Sequence, residues 1–329
     1  MISVHVVGDK YALDSSRRDA QAETMNRSTT VMLTALAPIA WGTTYLVTTA
    51  LLPAGHPLFA GLMRALPAGL LAVAITRVLP HGTWWLKSLA LGALNIGAFF
   101  PLLFLAAERL PGGVAAAVAG LQPLLVLGLG ALVVHERIRA TTAAAALAGA
   151  GGVALVVLGP AAELDAVGIL AAVGGVTATA LGMVLTKRWG RPKGVGPIAY
   201  AGWQLTAGGV VILPLVLLLE GVPTEIDGNA VLGYLWLATA GGIVAYTLWF
   251  RGIQRLPVIA PGLLALLSPI VATLLGVTVA GESFTPVQVV GFTVTIAALV
   301  GGQFAARPRR PPERTSITTS PSEPRQLSR

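Results

Sequence analysis

Arg64 lies in an apolar run from Leu58 to Val78, and it offers more chemistry than any other residue in the chain. It falls about 9 Å inside the run at 1.5 Å per residue. Placing an arginine there costs at least ~2.5 kcal/mol, so its side chain is expected to face protein or a watery cavity rather than hydrocarbon. Its planar fork suits a carboxylate or phosphate; the alternative is a structural arginine bonded to backbone carbonyls. Trp41, Thr44, Tyr45 and Thr48 recur at i, i+3, i+4 and i+7, a helical stripe suited to the wall of a site for an amphipathic ligand. The other reading of that stripe is packing, with threonine hydroxyls bonded to their own helix. Asn95 shares a face with Phe99, beside Phe100, and needs a polar partner at depth. Trp203, Gln204, Tyr246 and Trp249 complete the polar and aromatic set. This is chemistry for binding. No His-Glu-x-x-His, phosphate-binding loop or Ser-His-Asp set is present in the sequence, and no cysteine, so no enzyme, metal or cofactor is expected.

These residues are carried by apolar segments. The chain has 329 residues, 55% of them hydrophobic and 11% charged, with mean hydropathy +0.77, where a soluble domain would carry about 25% charged residues. Runs of helix-spanning length are expected at 31–52, 58–78, 88–107, 112–134 and 141–159, then at 167–186, 196–219, 230–250, 258–280 and 285–305. The fold class is therefore an all-α polytopic membrane protein of ten helices. Residues 1–29 form a polar extension without a signal sequence, and Met25 is an alternative start. A linker, 160–166, divides residues 30–159 from 167–305, and the tail 306–329, rich in Pro, Ser, Thr and Arg, is expected to be disordered.

The two halves repeat. Leu110-Pro111, Gln122-Pro123 and Glu136 are followed 146 residues later by Leu256-Pro257, Ser268-Pro269 and Glu282. Pro123 and Pro269 are predicted to kink helices at matching places, freeing the carbonyls of Ala119 and Ala265, with Gln122 and Ser268 beside each break. A second, looser alignment sets Gln204 opposite Arg64. Five spans per half make the repeats inverted. Of the 22 basic residues, all but Arg64 and Arg109 fall on one side if both termini are cytoplasmic, as the positive-inside rule requires. The basic balance therefore reflects topology rather than nucleic-acid binding. Glu136 and Glu282, at span ends, are expected to pair with loop backbone or basic groups. Trp84-Trp85 beside Lys87 read as interfacial anchors, and Ala144, Ala148 and Gly152 as a close helix contact.

Trp41-Gly42-Thr43-Thr44-Tyr45, Arg64-Ala65-Leu66-Pro67, Leu110-Pro111-Gly112-Gly113, Leu121-Gln122-Pro123-Leu124 and His135-Glu136-Arg137 resemble the EamA-type family of the drug/metabolite transporter superfamily. The first half looks closest to its PecM-like pigment and metabolite exporters. The resemblance implies a ten-helix fold around a central cavity, exporting amino acids, pigments, drugs or other small metabolites. An uptake carrier of the same fold, or a membrane scaffold or lipid-handling protein, are the other readings. Membrane lipid is the expected surrounding, and no nucleic-acid partner is expected.

Overall fold

The computed structural model describes residues 26–109, 118–157, 165–280 and 285–306. The N-terminal extension with Met25, the Leu110-Pro111-Gly112-Gly113 loop, most of the linker, Glu282 and the C-terminal tail lie outside them. Among the described residues there are helices and connections and no strand. Helix α1 is Asn26–Leu51 and α2 is Pro57–Thr76. Helix α3 joins Trp84–Gly92, a π-helical turn Ala93–Gly97, and Phe99–Arg109. Gln122–Val134 is α4 and Ala140–Val157 is α5. Ala166–Trp189 is α6, Pro197–Glu220 is α7, and Gly228–Arg255 is α8, with a π-helical stretch at Thr239–Val244. Helix α9 is Ile259–Leu264 followed by Leu267–Ala280, and α10 is Pro286–Ala305.

Seven of these helices are long and apolar enough to cross a membrane: α1, α2, α3, α6, α7, α8 and α10. The other three are shorter and also apolar. Large apolar side chains such as Met32, Leu86, Leu132, Leu170 and Leu218 point outward, a surface that water would penalise and lipid would not. Helix starts are set by ordinary capping chemistry. The Asp165 carboxylate accepts from Gly168 N at 2.7 Å and that of Asp227 from Ala230 N at 2.7 Å, while Thr285 and Gln288 form a reciprocal capping box. At the start of α2, Glu220 from the end of α7 accepts from Leu58 N and Phe59 N, both at 2.7 Å.

Glycine sets how the halves meet. A methyl at Gly69 would strike Thr206, and one at Gly209 would strike Leu66. Thr206 and Gly209 each follow their counterparts Leu66 and Gly69 by 140 residues, so the two contacts are one contact seen twice. As the chain advances along α2 the contacted residue retreats along α7, and the two helices are antiparallel. Helices α5 and α10 do the same. Gly152 meets Thr295, while Gly149 approaches Ala298, and these pairs interchange at 146 residues. The α5 contact therefore runs through Ala145, Gly149 and Gly152. The expected stripe shared only Gly152 with it: Ala144 and Ala148 are exposed, since one step along a helix turns a residue onto another face.

Both prolines expected inside kinked helices instead sit in first turns. The chain breaks at Gly120-Leu121 and again at Ala265-Leu266, and Pro123 and Pro269 open the segments that follow. A first-turn proline forfeits no intrahelical donor. The Ala265 carbonyl is not left free, for Ser268 N donates to it at 3.1 Å. Trp85 is exposed, as an interfacial residue would be, whereas Trp84 turns inward, 5.9 Å from Tyr200 and 6.4 Å from Trp203.

Candidate functional site

Arg64 is 5% exposed and points into the bundle. Its Nε and Nη2 donate to the Gly241 carbonyl at 3.2 and 3.1 Å, and its Nη1 to Thr44 Oγ1 at 3.4 Å. Trp41 Nε1 donates to the same carbonyl at 3.0 Å. That oxygen belongs to the π-helical stretch of α8, where the widened turn offsets the backbone ladder and presents a carbonyl sideways. Gly241 and Gly242 have no side chains to hold α2 away; a methyl at Gly242 would lie 2.7 Å from the Arg64 carbonyl.

Aromatic rings enclose the guanidinium. Its central carbon lies 5.8 Å from the Trp41 ring, 5.4 Å from Phe100 and 5.9 Å from Tyr246, within the range of cation–π attraction. Phe100 and Tyr246 are 146 residues apart, so Arg64 sits between rings that hold matching places in the two repeats. The cage continues from Trp41 to Trp249 at 5.0 Å and from Tyr246 to Phe250 at 5.6 Å. The ion pairs among the described residues, His56 with Glu220 and Arg109 with Asp165, do not include Arg64. Among the described residues its charge is met by carbonyl and hydroxyl dipoles and by ring faces.

A second polar group is built the same way. Asn95, in the π turn of α3, donates from Nδ2 to Gln204 Oε1 on α7 at 3.1 Å, and both are buried. Gly182 of α6 makes the room, since a methyl there would collide with the Asn95 amide. Gln204 Nε2 is buried without a partner among the described residues.

The other expected site residues fall elsewhere. Phe99 packs against Gly175 on α6, and Phe100 takes the place beside Arg64, because the π turn shifts the helical register ahead of it. Trp203 donates to the Val78 carbonyl at 2.7 Å, within the Trp84–Tyr200 group. Gln122 reaches Met183 Sδ at 3.2 Å. Ser268 is half-buried, and its carbonyl lies against Gly42, where α1 crosses α9. Thr48 bonds the Thr44 carbonyl of its own helix at 2.8 Å. The side chain of Tyr45 lies outside the described residues. Glu136 accepts from Val258 N with both carboxylate oxygens, at 3.0 and 3.2 Å, a loop-backbone role of the kind its position suggests. Phe100 and Gly241 are the site members that sequence reasoning did not select.

The sequence profile of the EamA-like transporter family matches residues 28–158 and again residues 166–301. The chain belongs to this family. It is 44% identical to the protein PecM of Dickeya dadantii over 264 residues, 80% of this chain and 89% of that protein. It is 28% identical to a WAT1-related chloroplastic protein of Arabidopsis thaliana, over 79% of this chain and 66% of that one. A crystal structure at 22% identity superposes with TM-score 0.72, covering 86% of this chain and 100% of the other, which places the helical fold. The EamA-family chain is thus a multi-pass membrane protein of a transporter family. The Arg64 cage lies where both family repeats contribute: Trp41, Arg64 and Phe100 come from the first, Gly241 and Tyr246 from the second.

Proposed function

We propose that the protein is a secondary transporter of the cell membrane that exports small amphipathic metabolites by alternating access. In this reading α1–α10 are ten spans with both termini cytoplasmic. Residues 30–159 and 167–305 are the two inverted repeats, and the halves rock about a site at their axis. The observation that carries it is the buried Arg64, caged by three aromatic rings and without an acidic partner among the described ion pairs. Three of its five N–H groups have partners; the remaining two are donors for a substrate carboxylate, as in an amino acid, a derivative or an acidic pigment. Trp41, Phe100 and Tyr246 receive the apolar part. The paired breaks before Pro123 and Pro269 give each half a point about which α4 and the second segment of α9 pivot during the exchange. A scaffold or lipid-handling role has less support, because the polar residues converge inside rather than face the surroundings.

The test is untargeted profiling of the medium around cells overproducing the protein, against Arg64→Ala made in equal amount. Acid-bearing metabolites enriched outside only with the unaltered protein would name the substrate class and the direction. Depletion of such metabolites from the medium would reverse the direction to uptake, and identical profiles would count against transport through this site.

A further inference from the structure

At one end of the bundle, away from the Arg64 cage, four cations gather around a single cavity of about 430 Å³. Arg137 and Arg139 come from the α4–α5 connection, Lys187 from the end of α6 and Arg255 from the end of α8. Lys187 is held by the carbonyls of Gln254 and Leu256 at 3.2 and 2.6 Å, and Arg139 by that of Ala305 at 3.1 Å. Arg137 and Arg255 are exposed. The one acid in the lining, Glu136, already has both oxygens on Val258 N, so a net charge of about three remains. The rest of the wall is mostly apolar, with Leu127 and Ile259 among it.

Topology alone accounts for basic residues at this end of the chain, but not for their convergence on one cavity from three separate connections. Nor does the duplication account for it. At 146 residues' distance the counterparts of Arg137 and Arg139 are Ser283 and Thr285, and although Arg255 answers to Arg109, the repeat does not reproduce the cluster as a whole. A concave site that joins phosphate-binding cations to an apolar wall matches the two ends of one molecule, the headgroup and upper acyl chain of a phospholipid.

We infer that this cavity binds the phosphate headgroup of an anionic phospholipid, which bridges the first repeat to the second. Its assignment to the cytoplasmic leaflet rests on the topology proposed above; the binding itself does not.

The experiment is native mass spectrometry with thermal melting of the full-length protein in detergent, with added phosphatidylglycerol, phosphatidylcholine or sodium phosphate. Phosphatidylglycerol is expected to stay bound and raise Tm, and phosphatidylcholine to do neither. Arg137→Gln with Arg255→Gln should weaken phosphatidylglycerol binding about 30-fold. Arg77→Gln with Lys193→Gln removes the same charge from exposed positions outside the cavity and should leave binding unchanged. Equal binding of the two lipids would overturn the inference, as would equal losses in both double variants, which would mean diffuse surface charge. A Tm rise reproduced by sodium phosphate alone at the same concentration would also overturn it, making the ligand soluble phosphate. None of these failures bears on the profiling of Arg64→Ala, so the two readings fall separately.

Discussion

Arg64 and Gln204 hold matching places in the two halves, 140 residues apart, and each reaches the middle of a helix at positions 146 apart, Gly241 and Asn95. Trp41 stands beside the first pair, and Gly182 beside the second. The scaffold is duplicated but the chemistry is not. One node holds a charge with spare donors among aromatic rings. The other is a neutral amide pair, Asn95 Nδ2 donating to Gln204 Oε1, with Gln204 Nε2 left without a partner among the described residues and Gly182 beside it. A near-symmetric frame thus carries one charged, aromatic-lined node, the one the proposed function gives to the substrate, and one neutral amide node, and the asymmetry lies in the side chains.

That contrast can be broken from either side. Arg64→Ala should have the largest effect, lowering transport by about 100-fold, since a charged hydrogen-bonding partner is worth about 1.5–3 kcal/mol and the substrate would lose it together with the charge. Membrane insertion should be unaffected, and transport near the normal rate would place the binding node elsewhere. Asn95→Ala should do the opposite: a loss of about 1–3 kcal/mol in stability, because Gln204 Oε1 loses its buried donor, with transport rates per folded molecule within about threefold. Replacing both amides together by Leu and Met, of similar shape, should recover most of that stability in a melting experiment. If the double variant is as damaged as the single, the pair is not a simple lock. Gly182→Ala should act on the same node, since the added methyl pushes the Asn95 amide off Gln204, and should cost about as much as Asn95→Ala or less. Trp41→Phe should be smallest. It removes one of three donors to the Gly241 carbonyl and keeps most of the ring, so the expected change is about 1 kcal/mol, read as a roughly fivefold rise in KM without loss of folded protein.

Much of this was legible from residue types. An arginine and an asparagine within apolar runs had to turn inward and find partners, and both do. The 146-residue register marked the duplication. The partners themselves were not legible. Gly241 has no side chain to attract notice, and its carbonyl becomes available only because α8 widens into a π turn, which depends on how α2 packs against it. The same effect in α3 exchanged Phe99 for Phe100. Pro123 and Pro269 read as kinks because proline mid-run implies one; whether the helix bends or restarts depends on neighbours such as Gly42, against which Ser268 is pressed. The basic cavity was hidden for another reason: its cations are spread from residue 137 to 255 and become a cluster only after the chain has folded.

The bond from Arg64 to Gly241 also sets a timetable. Its two ends are 177 residues apart, and at about 5–20 residues per second of synthesis the acceptor emerges roughly 9 to 35 seconds after the arginine. Through that interval Arg64 has Thr44, Trp41 and Phe100 of its own half but not the Gly241 carbonyl, and the glycine face that α2 offers to α7 is unmet as well. The packing of the first half is therefore completed only when α7 and α8 arrive. The residue that the proposed function gives to the substrate is thus also the one whose bonding joins the first half to the second.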